Sequence, residues 1–350
     1  VDVTESSLMI HNVEILPSQK QFECESDDTL LSAALRANVI LPYGCKDGAC
    51  GSCKADLLEG QVDYGTYQSR ALSEEERVRG KVLTCCAKPL GPVKLKVREL
   101  SGLGDIPIKK MPCRLQSLEK PASDVAILKL QLPANEVLQF NAGQYIEFML
   151  RDGSRRSYSL ANAPYQEGGI ELHIRHMPGG LFTDHVFNTM KEREILRFEG
   201  PFGTFFLRDD STKPVVLLAS GTGFAPIKSL LEQAFFKNSS RDFVLYWGAR
   251  TKADLYLFDL PIRWMADHSN FKFVPVLSDA SPACNWTGRT GFVHHAVMED
   301  FPDLSAHQVY ACGAPIVIDS AQRDFTTQCG LPEDEFYADS FTSMADSTPR

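Results

Sequence analysis

Tyr43-Gly44-Cys45-Lys46-Asp47-Gly48-Ala49-Cys50-Gly51-Ser52-Cys53-Lys54, with Cys85 downstream in Leu83-Thr84-Cys85-Cys86, is the stretch that decides how this chain is read. A C-x4-C-x2-C run with a distant fourth thiol is the spacing by which four thiolates hold the two irons of a plant-type 2Fe–2S centre. Gly44, Gly48 and Gly51 suit a loop that must turn tightly and bring backbone N–H groups up to sulfur, because glycine reaches positive φ without a Cβ clash. A zinc ribbon would supply two C-x2-4-C knuckles. Here one C-x2-C is followed instead by the adjacent pair Cys85-Cys86, whose side chains are poorly placed to share one metal. A disulfide framework belongs to small secreted scaffolds, and ten cysteines in 350 residues do not make one. One-electron chemistry is therefore expected in the first hundred residues.

Composition bounds the rest. The chain is 43% hydrophobic and 23% charged, with room for two or three domains of about 100–150 residues each. No tract approaches the roughly 20 consecutive apolar residues of a membrane helix. The opening residues, with Asp2 and Glu5, lack the basic and then apolar run of a secretory signal. Reduced thiols then make the cytoplasm the expected location. A formal net charge of −9 argues against nucleic-acid binding, which needs clustered Lys and Arg to neutralise phosphates.

Residues 1–100 read as short strands around one helix, with Asp27-Asp28-Thr29 as N-cap chemistry before Leu30, Leu31, Ala34 and Leu35. Ser101-Gly102-Leu103-Gly104-Asp105-Ile106-Pro107 predicts a linker over 101–110. From 111 to 210 the hydrophobic period is two. Leu128, Leu130 and Leu132 share one face of a strand, and Ile170, Leu172 and Ile174 that of another, so an antiparallel β-barrel is expected. After Pro214 the continuous run Val215–Ala219 suits a strand covered on both faces, followed by a helix over Pro226–Lys237. Phe243–Trp247, Phe271–Leu277 and Val309–Cys312 read as further parallel strands, which makes 211–341 a doubly wound α/β domain. The tail, 342–350, reads as disordered.

Short motifs punctuate these domains. Arg155-Arg156-Ser157-Tyr158-Ser159 contains R-x-Y-S, which by itself describes a strand with a solvated Arg and a half-buried Tyr as well as it describes a ligand site. Gly180-Leu181-Phe182-Thr183 opens a helix, where backbone N–H groups favour an anion. In Ser220-Gly221-Thr222-Gly223-Phe224-Ala225-Pro226 the glycines let a pyrophosphate approach the first βα turn, although the G-x-G-x-x-G fingerprint is absent. Arg250 and Ser278-Asp279 end two successive strands at the carboxyl edge, where ligands bind in open α/β sheets. Arg250 reads equally as an exposed loop arginine and Cys312 as a buried hydrophobe. Arg175 is open between site and scaffold, His173 reads as a polar outward strand residue, and His294 and His295 read as structural.

The succession of cluster loop, barrel with R-x-Y-S and α/β domain resembles the ferredoxin–NAD(P)+ reductase superfamily, in its form with an N-terminal plant-type ferredoxin module. The resemblance runs from the cysteine loop to Phe341. It implies a β-grasp fold for the first domain, FAD in the barrel domain and a nicotinamide dinucleotide in the last. Arg156 would bind flavin pyrophosphate, Tyr158 would pack on the isoalloxazine, and Ser159 would hydrogen-bond near flavin N5. Gly180 and Thr183 would take the second flavin phosphate motif, with Arg175 on the strand flanking the flavin. Gly221, Thr222, Gly223 and Pro226 would form the dinucleotide turn, with Arg250 beside it. Cys312 and Gly313 would sit by the nicotinamide, and Phe341 would lie where the superfamily sets an aromatic ring against the flavin. Relatives commonly carry L-x-C-Q at the fourth thiol, which completes the ligand set Cys45, Cys50, Cys53 and Cys85 and leaves Cys86 in the Gln position. Cys24, Cys113, Cys284 and Cys329 have no motif. Asp279 stands where NADPH-using relatives often have Arg, so NADH is favoured, a carboxylate repelling a 2′-phosphate.

The implied activity is NADH to FAD to 2Fe–2S to a partner protein. Cys-Lys-Asp-Gly-Ala-Cys-Gly-Ser-Cys-Lys, Leu83–Cys86, Tyr158–Pro164 and Gly291-Phe292-Val293-His294 resemble the CDP-6-deoxy-Δ3,4-glucoseen reductases of deoxysugar biosynthesis. Their acceptor is a dehydrase carrying pyridoxamine phosphate. The reductase component of a ring-hydroxylating dioxygenase or multicomponent monooxygenase is the rival, and a redox-sensing binding module the second.

Overall fold

The computed structural model describes residues 9–100, 106–166, 168–281 and 284–342. The chain divides into two compact units, Val1–Gly104 with Thr342–Arg350, and Asp105–Phe341. Residues 101–105 of the expected linker and all but the first residue of the expected disordered tail lie outside the described residues.

In the first unit β1 (Ile10–Leu16), β2 (Lys20–Glu25), β3 (Lys54–Glu59), β4 (Val62–Asp63), β5 (Lys81–Leu83), β6 (Lys88–Pro89) and β7 (Val93–Lys96) flank α1 (Leu30–Arg36) and α2 (Glu74–Val78). The main sheet runs β2-β1-β7-β3-β5, with β1 and β7 parallel and its other pairs antiparallel. The α1 N-terminus is fixed as its sequence asks, Thr29 accepting from the Ser32 amide. Leu30, Leu31, Ala33 and Ala34 are buried, and each fully buried leucine contributes about 1.5–3 kcal/mol. The first turn of α1 also binds the cysteine segment, Leu31 N–H donating to the Thr84 carbonyl at 2.9 Å.

The second unit begins with β8 (Lys109–Ala122), β9 (Val125–Gln131), β10 (Tyr145–Met149), β11 (Arg155–Ser159), β12 (Ile170–Arg175), α3 (Leu181–Asn188) and β13 (Ile195–Phe202). These strands form one antiparallel six-stranded sheet, β11-β10-β13-β8-β9-β12. Its edges meet at a single bridge, Leu160 to Leu172, so the expected barrel curls to one point of closure instead of a continuous hydrogen-bonded cylinder. The alternation reads correctly: Leu128, Leu130, Ile170, Leu172 and Ile174 fill its interior.

Beyond it come β14 (Val215–Ser220), α4 (Phe224–Phe236), β15 (Phe243–Ala249), α5 (Asp259–Asp267), β16 (Phe271–Leu277), β17 (Arg289–Thr290), α6 (Val293–Asp300), β18 (Gln308–Gly313), α7 (Pro315–Gln328) and β19 (Phe336–Ser340). The sheet β17-β16-β15-β14-β18-β19 is wholly parallel, and buried apolar clusters cover both its faces. The strand order reverses between β14 and β18, which makes their carboxyl ends the topological switch point where such sheets bind ligands.

Candidate functional site

The cysteine loop is shaped by its own backbone. Lys46, Gly48 and Gly51 take φ of 66°, 75° and 78°, and the loop doubles back so that amides point at sulfur. Cys45 N–H donates to Cys50 Sγ at 3.4 Å and Cys50 N–H to Cys45 Sγ at 3.3 Å. Cys53 and Cys85, both buried, bring their sulfurs to 3.2 Å. Thr84 holds that pair together by donating from its amide and its hydroxyl to the Cys53 carbonyl, at 3.1 and 3.2 Å. The thiols polarise one another: hydrogen bonding to Cys50, then burial, pushes Cys45 up, while the bond from Cys45 draws Cys50 down to about 6. Cys86 lies on the Gly48 side of Cys85. Its Sγ is 3.6 Å from Cys85 Sγ, and a Cβ on Gly48 would stand 2.7 Å from it. Two close thiol pairs with amides aimed at sulfur are a donor set that fits a thiolate-held iron–sulfur cluster and not a hard oxygen-seeking cation.

In the second unit the register pairs Arg156 with Phe148, Tyr158 with Ile146 and Ser159 with Tyr145. Arg155 is committed to Glu147 at 3.0 Å and to Glu199. Arg156 reaches only its neighbour's carbonyl, Nη1 to Arg155 O at 2.7 Å, and forms no ion pair among the described residues. A guanidinium with no carboxylate in ion-pair contact, on a strand at the sheet's edge, fits a pyrophosphate. The Tyr158 ring packs against Phe148 and Phe182 with centroids 6.0 and 5.4 Å away, and burial pushes its phenol up. Thr183 spends its hydroxyl on the turn itself, donating to Met177 O at 2.8 Å, while no side chain caps the N-terminus of α3.

At the switch point Gly221 takes φ +55° in a 3-10 turn, Gly221–Gly223, that precedes α4, so the helix begins before the expected Pro226. The Trp247 indole donates to Gly221 O at 3.0 Å. Arg175 lies beside this turn, its Nη2 3.1 Å from where a Gly221 Cβ would stand, and its Nη1 donates to Asp124 at 2.8 Å. Buried Thr222 and Pro226 complete the turn and the first part of α4.

A residue that the sequence reading missed closes the centre. Asp339 Oδ2 accepts from Ser159 Oγ at 3.3 Å and from Cys312 Sγ at 3.9 Å, joining the end of β11 to the end of β18. Cys312 is fully buried, and burial followed by the Asp339 carboxylate keeps its thiol protonated. The available signal was register, Cys312 standing opposite Asp339 across β18 and β19. Phe341 N–H donates to the Gly313 carbonyl at 2.9 Å and its ring packs on the sheet's core. Arg250 and Asp279 adjoin at the carboxyl edge, both exposed, the Asp279 amide donating to Arg250 O at 2.9 Å. His173 needs correction. It points out of the antiparallel sheet but is only 5% exposed, bonded to Tyr256 at 2.7 Å and Glu171 at 3.0 Å, because the α/β half covers that face. His294 packs against Asp324 at 3.4 Å, and Arg323 holds the other Asp324 oxygen at 2.8 Å.

Comparison with known proteins gives three family matches in chain order: a 2Fe-2S iron-sulfur cluster binding domain over 13–90, an oxidoreductase FAD-binding domain over 112–207 and an oxidoreductase NAD-binding domain over 217–323. A Yersinia pseudotuberculosis protein named CDP-6-deoxy-L-threo-D-glycero-4-hexulose-3-dehydrase reductase is 45% identical, over 94% of this chain and 98% of its own. Reductase component 1 of terephthalate 1,2-dioxygenase from Comamonas is 35% identical over 96% and 98%. Among solved structures, the Amycolatopsis cytochrome P450 reductase GcoB superposes with a TM-score of 0.76 at 34% identity, over 95% of this chain and 99% of its own.

Proposed function

Because this chain belongs to the family of electron-transfer reductases that join a 2Fe-2S cluster domain to FAD-binding and NAD-binding domains, we propose that it passes electrons from NADH to a sugar-nucleotide 3-dehydrase. The Yersinia reductase, similar over nearly its whole length, carries the choice of acceptor. The bound groups supply a change of electron count, hydride from nicotinamide, two electrons held by flavin and one by the cluster.

The side chains bind, orient and exclude water. Cys45, Cys50, Cys53 and Cys85 hold the cluster. Arg156 would take the flavin pyrophosphate, Gly180 and Thr183 would present the α3 amides to it, Tyr158 would pack on the ring system, and Ser159, whose hydroxyl donates to Asp339, would hydrogen-bond near flavin N5. Gly221, Thr222, Gly223 and Pro226 form the nucleotide turn, steadied by Arg175. Cys312 and Gly313 would floor the nicotinamide position, and Phe341 would line the flavin side. A reducing cytoplasm suits ten cysteines, none of them in a disulfide.

Two measurements test this. With dehydrase, pyridoxamine phosphate and the CDP-4-keto-6-deoxyhexose all present, NADH oxidation should accompany 3-deoxygenation; oxidation that requires an oxygenase component instead would sink the acceptor and leave the reductase standing. Asp279 and Arg250 bear on the nucleotide. NADH should exceed NADPH in kcat/KM, and Asp279→Arg should narrow that ratio by about tenfold, equivalent to about 1.4 kcal/mol. A wild-type preference for NADPH would reject the role given to Asp279.

A further inference from the structure

We infer that Lys228 is a positioning residue for hydride transfer: itself buried, it forms with the half-buried Glu171 and Glu232 an ion cluster that locks the nucleotide turn to the segment leaving the flavin strand. The inference rests on reading Tyr158–Ser159 as the flavin face and Gly221–Gly223 as the nucleotide turn.

Lysine is almost never fully buried unless paired, yet Lys228 is 7% exposed and lies on α4 just past that turn. An ammonium has three donors, and each finds an acceptor from a different part of the chain. Nζ lies 3.2 Å from Glu171 Oε1 on β12, 3.0 Å from Glu232 Oε1 one helical turn ahead, and donates to the Ala161 carbonyl at 3.1 Å. Ser229, the next residue and wholly buried, donates to the Asn162 carbonyl at 2.7 Å. Asn162 in turn accepts from the Glu171 amide at 2.9 Å. Helix α4 thus grips Ala161 and Asn162, within three residues of Ser159.

The same cluster returns to the turn by a second route. Glu171 bonds His173 Nε2 at 3.0 Å, His173 Nδ1 bonds the Tyr256 hydroxyl at 2.7 Å, and the Tyr256 ring meets Trp247 edge-on at 5.3 Å. Trp247 donates to Gly221 O. A closed circuit of polar and aromatic contacts therefore runs from the nucleotide turn through β12 and back. Burial alone would raise the Glu171 carboxyl, but the bond from His173 and the Lys228 charge draw it down to about 2, so it stays ionised. Burial pushes the His173 ring down, so it stays neutral. Replacing a buried ion cluster by apolar residues of similar volume is often neutral or stabilising. What apolar residues do not reproduce is the fixed direction of each bond, and hydride transfer is sensitive to distance: a misplacement of about 1 Å costs on the order of 10²-fold.

The test uses the full-length holoprotein and two variants. Lys228→Met removes the cation, and the triple variant Lys228→Met, Glu171→Gln, Glu232→Gln removes the whole cluster without leaving an unpaired buried carboxylate. In the triple variant, FAD affinity by fluorescence titration and the thermal midpoint should stay near wild type. Single-turnover reduction of FAD by NADH under anaerobic conditions should fall by about 10- to 100-fold, and the long-wavelength charge-transfer absorbance of the oxidised flavin–NADH complex should weaken with it. Electron exit from dithionite-reduced protein to cytochrome c should not change. If the triple variant transfers hydride at the wild-type rate with its charge-transfer band intact, the cluster is structural filler and the inference fails. If wild-type protein itself shows no FAD reduction by NADH, the failure belongs to the proposed function instead.

Discussion

Cys85→Ser should abolish the visible iron–sulfur absorption of the purified protein, whereas Cys86→Ser should leave it in place. The two residues are adjacent and chemically identical, so composition cannot separate them, but their partners do. Cys85 Sγ stands 3.2 Å from Cys53 Sγ, in the buried pair that Thr84 fixes. Cys86 Sγ faces Gly48, and serine there would keep the packing with a slightly smaller atom. A serine at 85 offers a harder oxygen donor in a set built for soft sulfur. Reduction of a one-electron protein acceptor should then fall to background, while NADH-driven ferricyanide reduction, which the flavin sustains alone, continues. Optical spectra, iron analysis and both assays on the two variants decide the matter. A bleached Cys86→Ser beside an intact Cys85→Ser would reverse the ligand assignment.

What the sequence made legible was local. The left-handed turns at Gly48 and Gly51, the Thr29 cap, the alternation of β9 and β12 and the apolar run of β14 each depend on neighbours a few residues away, and each stands as its pattern implies, although in the cysteine loop Lys46 and not Gly44 takes the third positive φ. Asp339 did not stand out because Ser159 and Cys312 become its neighbours only when β18 pairs with β19 and the antiparallel sheet meets the α/β half. His173 misled for a related reason: strand periodicity tells which face a residue takes, not what covers that face. Barrel closure was likewise out of reach, since a period of two is the same in a closed cylinder and in a sheet joined at one bridge.

Gly223 shows how one residue can serve two masters, and its alanine variant should be among the most damaging single changes in the second unit. The glycines of the turn are expected from sequence because a pyrophosphate must approach the backbone. At Gly223 the structure adds a cause that needs no ligand. Its φ of −58° would suit any residue, so conformational freedom is not the issue. A Cβ there would stand 2.1 Å from the Cys312 carbonyl oxygen and 2.8 Å from the Gly313 amide nitrogen, both backbone atoms of β18. Neither can yield without parting the start of α4 from β18, the strand proposed to floor the nicotinamide. Overpacking of this kind costs about 3 kcal/mol or more, which for a unit of this size lowers Tm by roughly 6–12 °C. Gly221→Ala is the control. Its Cβ meets only the end of the Arg175 side chain, at 3.1 Å, and the penalty is the left-handed φ of +55°, about 1–2 kcal/mol. Scanning calorimetry should therefore rank wild type above Gly221→Ala and Gly221→Ala above Gly223→Ala. NADH-dependent flavin reduction should be lost most completely in Gly223→Ala, and the cluster spectrum, which belongs to the other unit, should be the same in all three. A Gly223→Ala protein as stable as wild type would mean that helix and strand do not meet this closely, and the nicotinamide floor would have to be drawn elsewhere.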